Sequence, residues 1–249
     1  MANILEKYGI KEVADVMFYE IADDGGPGAP VLYLDTLKVS TIEQTAEETE
    51  ARGGKGNPPL IIWDYGKEIT VTLEDALFSA KSMAIMFGNG TVDSTLTQIT
   101  KTIQFTGSSV PTKFEGPQGK EYAVPTTGVS YYDATGATVT TDSMTSDGVY
   151  FATFQMPIKD VSVIEISANT FPGTYYITGD TYSRKESSGV DEFFQFIIPK
   201  AKVQSENTIT LEADGDPSVF NMNLRVLRPA DGKMMKLVKY DMTEIAPAG

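Results

Sequence analysis

The chain has neither cysteine nor histidine among its 249 residues, and their absence excludes several kinds of chemistry. Without thiols there is no disulfide and no thiolate metal site. Without imidazole there is no Ser-His-Asp triad, no histidine zinc site and no imidazole acid–base catalysis. An enzyme of this size without either residue is possible but handicapped, and we expect no enzymatic activity, no cofactor and no metal ion. Carboxylate pairs for glycoside hydrolysis stay open among the 34 acidic residues.

Basic residues and long apolar runs are scarce as well. The 20 lysines and arginines are outnumbered by acids, so the formal net charge is −14. This charge opposes tight binding to nucleic-acid phosphates or to anionic membranes. No stretch reaches the roughly 18 to 20 apolar residues of a membrane span. Charged residues at positions 6, 7, 11 and 12 stand where a secretory leader is apolar, so we expect synthesis and folding in a cytoplasm.

The dominant pattern in the sequence is apolar–polar alternation with a period of two, which is typical of half-buried strands. It is clearest in "KEITVTLED" (67–75), "NTITLEA" (207–213) and "VFNMNLRV" (219–226), while "DEFFQFIIP" (191–199) reads as a strand covered on both faces. Gly179-Asp180 is typical of a turn. "SAKSMAIMFGNG" (79–90) predicts one short helix, with Ser79 as its N-cap. The predicted fold class is mainly β with one flanking α-helix.

Two segments interrupt this pattern. "EQTAEETEARGGKGNPP" (Glu43–Pro59) is too polar for a core and too long for a hairpin turn, and its glycines lack the GK[ST] ending of a phosphate loop. We interpret it as a loop that reaches a neighbouring copy of the chain. Residues 108–150 are rich in Thr, Ser, Gly and Pro. They predict an outward excursion of loops and short strands, because they offer few apolar residues for a second core.

Five basic residues lie within fifteen positions near the end of the sequence. We expect them to form a basic hairpin that meets acidic residues of a neighbouring subunit, with nucleic-acid contact and a merely solvated hairpin as the alternatives. The basic candidates are Arg225, Arg228, Lys233, Lys236 and Lys239, and the acidic candidates are Glu43, Glu47, Glu48 and Glu50.

Three segments carry a family resemblance. They are "LDTLKVSTIEQTAEETEARGGKGNPPLIIWDYGKEITVTLEDALFSAKSMAIMFG", "FPGTYYITGDTYSRKESSGVDEFFQFIIPKAKV" and "ENTITLEADGDPSVFNMNLRVLRPADGKMMKLVKY". Together, and in this order, they resemble the major tail tube proteins of tailed bacteriophages. They cover about half of the chain, and residues 108–150 carry little of the resemblance.

The resemblance implies a tail-tube-type β-sandwich or barrel over residues 1–249 as a single domain. Six subunits would close into a ring whose inner wall is one β-barrel of four strands per subunit, and rings would stack into a tube. The partners implied are the chain itself, a tape measure protein inside during assembly, and a sheath in a contractile tail. DNA would pass without specific binding, in a virion tail made in the host cytoplasm. Carried over, the inter-ring loop is 43–59, with Glu43, Glu47, Glu48, Glu50, Arg52 and Lys55 as its charged residues.

The polar sides of the alternating strands are the predicted lumen surface, because a basic wall would bind DNA whereas an acidic or neutral one would let it slide. Period two groups these residues on one face but does not say which way that face points. The candidates are Glu68, Thr70, Thr72, Glu74, Thr208, Thr210 and Glu212, with Asn221, Asn223 and Arg225 as secondary ones. Two alternatives remain: another tail ring component, such as a terminator or baseplate ring, and a monomeric β-sandwich that binds carbohydrate or peptide. Nothing in the sequence gathers aromatic residues into a sugar-stacking cleft.

Overall fold

The computed structural model describes residues 7–88, 90–209 and 219–241, and the chain divides into two compact units. The first unit comprises Met1–Val92 and Ile164–Gly249, and the second comprises Asp93–Val163. The described residues form antiparallel sheets and one α-helix, α1 (Ala80–Phe87). The predicted fold class, mainly β with one short helix, is confirmed.

The first unit is built on a sheet of nine strands. Seven form a continuous path in the order β3-β2-β12-β13-β14-β5-β4, while β1 pairs with β12 and β15 pairs with β13. The strands are β1 (Tyr8–Ile10), β2 (Asp15–Ile21), β3 (Pro27–Leu34), β4 (Leu37–Arg52), β5 (Pro59–Asp75), β12 (Thr174–Lys185), β13 (Asp191–Val203), β14 (Phe220–Val226) and β15 (Lys236–Tyr240).

The sheet of the first unit curls back on itself. Strands β3 and β4 lie at opposite ends of the path, yet only Asp35 and Thr36 separate them in the chain. So short a link spans about 11 Å at most, which brings the two edges close together. The Thr36 hydroxyl donates to the Asp75 carboxylate over 2.5 Å, which ties the link to the end of β5.

The concave side of this sheet and α1 enclose the main core. Ile69, Val71 and Leu73 of β5 are buried, as their alternation predicts. Helix α1 begins as predicted, because the Ser79 hydroxyl accepts from the Ser82 N–H over 3.0 Å. Buried core residues from the other elements are Val16, Phe18, Leu32, Leu34, Ile85, Met86, Ile177, Ile198, Val203, Met222 and Leu224. The prediction that β13 is covered on both faces is wrong, since only alternate residues such as Phe196 and Ile198 are buried in its central part.

The predicted turn at Gly179-Asp180 is also wrong, because both residues lie inside β12. Gly179 faces Phe196 directly across the β12–β13 pair. A Cβ atom at position 179 would lie 2.1 Å from the Phe196 ring, so glycine is what lets the ring lie flat over the strand. Position 179 therefore requires the small size of glycine, not its ability to adopt a turn conformation.

The second unit has its own sheets and its own core. A four-stranded sheet has the order β10-β9-β11-β6, and β7 pairs with β8. Its strands are β6 (Gln98–Thr106), β7 (Lys113–Glu115), β8 (Glu121–Ala123), β9 (Ser130–Asp133), β10 (Thr138–Val139) and β11 (Val149–Pro157). Phe105, Met144, Tyr150 and Ala152 form a buried cluster. This corrects the expectation for residues 108–150: a second core does form, because β6 and most of β11 lie outside that segment and supply Phe105 and Ala152.

We expect Gly179→Ala to lower the free energy of unfolding by about 1–3 kcal/mol, the range for overpacking a filled core. The reason is the 2.1 Å approach to Phe196, which the ring can relieve only by leaving its buried position. Urea unfolding followed by circular dichroism measures the change. Gly9→Ala is the matched control, because Gly9 is also in a strand of this sheet and a Cβ there meets nothing within 4 Å. Equal unfolding midpoints for the two variants would contradict the packing role of Gly179.

Candidate assembly surface

The segment predicted as a long loop is instead most of a two-stranded ribbon. Strands β4 and β5 pair from Leu37↔Asp75 to Arg52↔Pro59. On its other side, β5 pairs with β14 only as far as Thr70↔Arg225. Beyond that point no other strand of the described residues lies beside β4 and β5. We call residues 44–69 the arm.

The arm projects from the sheet and is exposed over most of its length, whereas Ile69 at its base is buried in the core. Eleven residues of β5, 59 to 69, lie beyond the last pair with β14, which corresponds to about 35 Å of strand. Its tip, residues 53–58, is an ordered turn in which the Gly53 N–H donates to Pro58 O over 3.2 Å and the Asn57 N–H donates to Gly54 O over 3.1 Å. A two-stranded ribbon of this kind is marginally stable by itself in water.

Large apolar side chains are exposed on both sides of the arm, and on one side three of them form a row. Ile61, Trp63 and Tyr65 are 51%, 50% and 52% exposed, and they lie opposite Ala51, Thr49 and Glu47 of β4. Residues directly opposite each other in antiparallel strands share a face, so these three large side chains form one continuous row. We call Ile61, Trp63 and Tyr65 the apolar strip. Exposed apolar surface of this kind marks an interaction site.

A β-bulge at Gly66 determines which side carries the apolar strip. Between Thr45↔Glu68 and Glu47↔Tyr65, strand β5 advances three residues while β4 advances two. Gly66 has a φ of +61°, the left-handed conformation that such a bulge favours. The extra residue shifts the alternation of β5, so Tyr65 does not continue the core-facing series that includes Ile69.

The charged residues predicted for the inter-ring loop are divided between the two sides of the arm. Glu47 lies beside the apolar strip, whereas Glu48 and Glu50 lie on the opposite side with Asp64 and Ile62 as their cross-strand partners. Arg52 forms an ion pair with Glu50 of the same strand over 2.5 Å. The other two candidates lie at the ends: Glu43 pairs with Thr70 at the arm base, and Lys55 is in the tip.

The predicted lumen residues of β5 do share one face, and β14 extends it. Glu74, Thr72 and Thr70 lie opposite Asn221, Asn223 and Arg225. The Thr72 hydroxyl donates to the Asn223 side-chain oxygen over 3.1 Å, and Arg225 forms an ion pair with Glu68 over 2.9 Å. We call these residues the polar face, and they are Glu68, Thr70, Thr72, Glu74, Asn221, Asn223 and Arg225.

The remaining predicted lumen residues, Thr208, Thr210 and Glu212, are not among the residues of the polar face. Thr208 follows β13 in a segment, 204–209, that has no strand, so the strand predicted at "NTITLEA" does not begin there. Thr210 and Glu212 lie outside the described residues.

The predicted basic hairpin does not form, because β14 and β15 do not pair with each other. Both pair with the same side of β13, β14 near Lys202 and β15 near Gln195, with a connection between them. Three of the five basic residues also form ion pairs within their own chain. Arg225 pairs with Glu68, Lys233 with Asp231 over 3.8 Å, and Lys239 with Glu192. Arg228 and Lys236 form no ion pair with a carboxylate of the described residues and remain the basic candidates for a contact between subunits.

Glu192 joins three strands of the first unit through two lysines. Its carboxylate forms ion pairs with Lys185 of β12 over 2.5 Å and with Lys239 of β15. The hydrogen bond from Lys185, followed by that from Lys239, lowers the pKa of Glu192 below its ordinary value. Lys239 also lies over the Tyr8 ring, 5.0 Å from its centroid, which adds a contact with β1.

An exposed apolar strip and a polar face on a mainly-β unit are typical of a surface that meets other chains. The chain matches the model of the YomU/Tube protein family over residues 8–239 and therefore belongs to that family. Membership supports a phage tube-like structural protein, a component of the virion tail, and not an enzyme. The comparison with curated proteins found no match.

Two further observations concern the described part of the chain only. No group of three or more acidic residues there is arranged to hold a metal ion. The one α-helix described is too short to cross a membrane, and no other candidate span was found.

We expect Lys239→Met to raise the pKa of Glu192 toward its ordinary value of about 4.3. Because the folded-state pKa is depressed, the ion pairs stabilise the fold above the ordinary pKa, and this contribution is lost as the pH falls through the folded value. The urea midpoints of wild type and variant should therefore differ at pH 7 and converge at acid pH. Lys236→Met, in the same strand, is the control and should show no such convergence. A pH-independent difference for Lys239→Met would contradict the role of this charge.

Proposed function

We propose that this chain is the subunit of a phage tail tube, in which six copies close into a ring and stacked rings form a conduit for DNA. The observation that carries the proposal is the arm: about 35 Å of ribbon with an apolar strip that the described residues of the chain leave exposed. A subunit that stayed alone would keep Ile61, Trp63 and Tyr65 in water. A neighbouring ring that receives the arm would bury them.

Ring closure uses the free edges of the large sheet. Strands β3 and β4 end the path, and each is paired on one side only. Such edges are templates for pairing with another chain, and closure into a barrel removes them. Four strands from each of six subunits, spaced at about 4.8 Å and tilted by roughly 40°, give a barrel about 45–50 Å across. That leaves room for a DNA duplex after side chains are added.

The polar face is the proposed channel wall. Duplex DNA carries one negative charge per roughly 1.7 Å of its axis, so a wall of free cations would hold it. Here the one cation of the polar face, Arg225, is paired with Glu68, while Glu74 and the neighbouring Glu43 add negative charge. Threonine and asparagine complete the surface. DNA would pass along such a wall with little adhesion, and during assembly a tape measure protein would occupy the same space.

The role of the apolar strip is tested by replacing all three residues at once, as Ile61→Thr, Trp63→Thr and Tyr65→Thr. Threonine keeps the preference for strands. Each large side chain contributes about 1.5–3 kcal/mol when buried, so the critical concentration for tubes should rise by more than about a hundredfold. Negative-stain microscopy and sedimentation measure assembly. Ile99→Thr, at a strand position in the second unit that is 49% exposed, is the matched control and should assemble normally.

The outcomes of this experiment separate the candidate functions. Long tubes from the wild type and none from the triple variant would support the proposal. One discrete ring at every concentration would indicate a terminator or baseplate ring, and a compact monomer would indicate a binding module. Tubes of full length from the triple variant would overturn the role of the arm.

Trp63 reports burial of the arm directly, because it is the only tryptophan in the chain. In dispersed subunits its half-exposed indole should emit as a hydrated fluorophore and be quenched by acrylamide. When tubes form, we expect its emission to shift to shorter wavelength and quenching to fall. A Trp63→Phe variant supplies the background signal from tyrosine. An unchanged spectrum in microscopically verified tubes would show that the arm stays in solvent.

A further inference from the structure

The second unit contains an open cleft of about 670 Å³ that the proposed tube assembly does not use. It lies where three parts of the second unit meet: the β7–β8 hairpin, the start of β6 and the end of β11. A volume of this size falls in the range of sites that take small molecules or a few units of a polymer.

Aromatic rings form one wall of the cleft. Phe114 of β7 and Tyr122 of β8 stack with ring centroids 5.5 Å apart and an angle of 22° between their planes. Phe154, which is 2% exposed, packs behind Phe114 with centroids 6.1 Å apart and supports it. Pro117 and Pro157 add flat apolar surface to the lining.

Three lysines line the same cleft, and two of them are held by the aromatic rings. The Lys101 ammonium lies 5.6 Å from the centroid of Phe114, and the Lys120 ammonium lies 5.4 Å from that of Tyr122. Lys159 lies in the segment that follows β11. Within the described ranges, none of the three forms an ion pair with a carboxylate. A cation–π contact positions an ammonium group but leaves its charge available to an anion.

The placement of these lysines differs from the charge of the unit as a whole. Residues 93–163 contain four lysines, no arginine and seven acidic residues. Three of the four lysines line the cleft, but only one of the seven acids, Asp160, does. The fourth lysine, Lys113, is paired with Glu121 over 2.7 Å outside the cleft. The lysines of this acidic unit that form no ion pair therefore lie together around one aromatic wall.

We propose that this cleft binds an anionic carbohydrate, a polymer of sugar rings that carry carboxylate or phosphate groups. The C–H faces of the sugar rings pack against Phe114, Tyr122 and the prolines. The anionic groups accept hydrogen bonds from Lys101, Lys120 and Lys159. Because a polymer passes through an open cleft, the site needs no closed pocket.

Other polyanions fit the cleft less well. Duplex DNA carries its charges so densely that three lysines cannot offset the repulsion by an acidic unit, whereas a polysaccharide carries about one charge per repeat. An acidic peptide depends on main-chain hydrogen bonds, and Pro117 and Pro157 offer no N–H groups to it. A sugar ring needs only flat apolar surface and a few donors.

Binding of the full-length protein to a hexasaccharide of galacturonate, measured by isothermal titration calorimetry at low salt, tests this site. Two further probes have matched lengths: the methyl-esterified hexasaccharide, which is neutral, and hexaglutamate, which has the charges without the sugar rings. We expect the free acid to bind at least about tenfold more tightly than either, with affinity falling as salt rises.

The variants place the binding in the cleft. Lys101→Gln, Lys120→Gln and Lys159→Gln should each weaken binding by about threefold to tenfold, the loss expected for one charge-assisted contact at a surface. Lys113→Gln removes a lysine from the same unit without touching the cleft and should bind as the wild type does. Tyr122→Ala should weaken binding of the free acid by about tenfold or more, because the packing of a sugar ring against the aromatic ring is lost. Circular dichroism verifies the fold of each variant.

Each remaining outcome would overturn the proposal. Equal binding of hexaglutamate would indicate an acidic-peptide site, and equal binding of the methyl ester would remove the role of charge. Equal losses for Lys113→Gln and the cleft variants would place binding elsewhere. No binding of the free acid at millimolar concentration would leave the cleft without this function. The tube proposal is unaffected by any of these results, because it depends on the arm and large sheet of the first unit.

Discussion

The arrangement of the first unit depends on one strand, β5, that is much longer than its neighbour β14. Strand β5 has 17 residues and β14 has 7, so among the strands that the structure describes only β4 lies beside more than half of β5. A two-stranded ribbon has no layer of its own to bury side chains against. In the proposed tube, a neighbouring chain would bury the apolar strip. The edges at β3 and β4 would be covered in the same way when the proposed ring closes.

Local alternation was sufficient to predict some parts of this arrangement. Glu68, Thr70 and Thr72 share one face as predicted, because the period of two holds in β5 from Glu68 onward, after the bulge at Gly66. The arm was misread because glutamate, glycine and proline are disfavoured in strands, and "EETEAR" contains no apolar alternation. Its conformation comes from pairing with 59–65, and the facing of Tyr65 comes from a bulge at Gly66. Pairing between β5 and β14 joins residues about 150 positions apart, as in Thr72 and Asn223, which no local pattern shows.

The second unit shows a different limit of sequence reasoning. Its core was underestimated because the apolar residues were counted between 108 and 150, whereas Phe105 and Ala152 come from the flanking strands. The aromatic wall was missed because Phe114 and Tyr122 stand eight positions apart and meet only through the β7–β8 hairpin. A usable signal was present nonetheless. Residues 93–163 hold only four lysines beside seven acids, and the few cations of an acidic segment are candidates for contact with an anionic partner.

The two units differ in how their positively charged side chains are partnered. In the large sheet, Arg225, Lys239 and Lys185 form ion pairs with carboxylates of their own chain, and these pairs contribute to holding strands together. Of the three, only Arg225 belongs to the polar face, and its ion pair with Glu68 leaves that face without an unpaired cation. In the second unit, Lys101, Lys120 and Lys159 are held by aromatic rings or by the end of a strand, and their charge stays available. A chain with net charge −14 thus repels dense polyanions along its sheet and keeps one small basic site for a sparsely charged one.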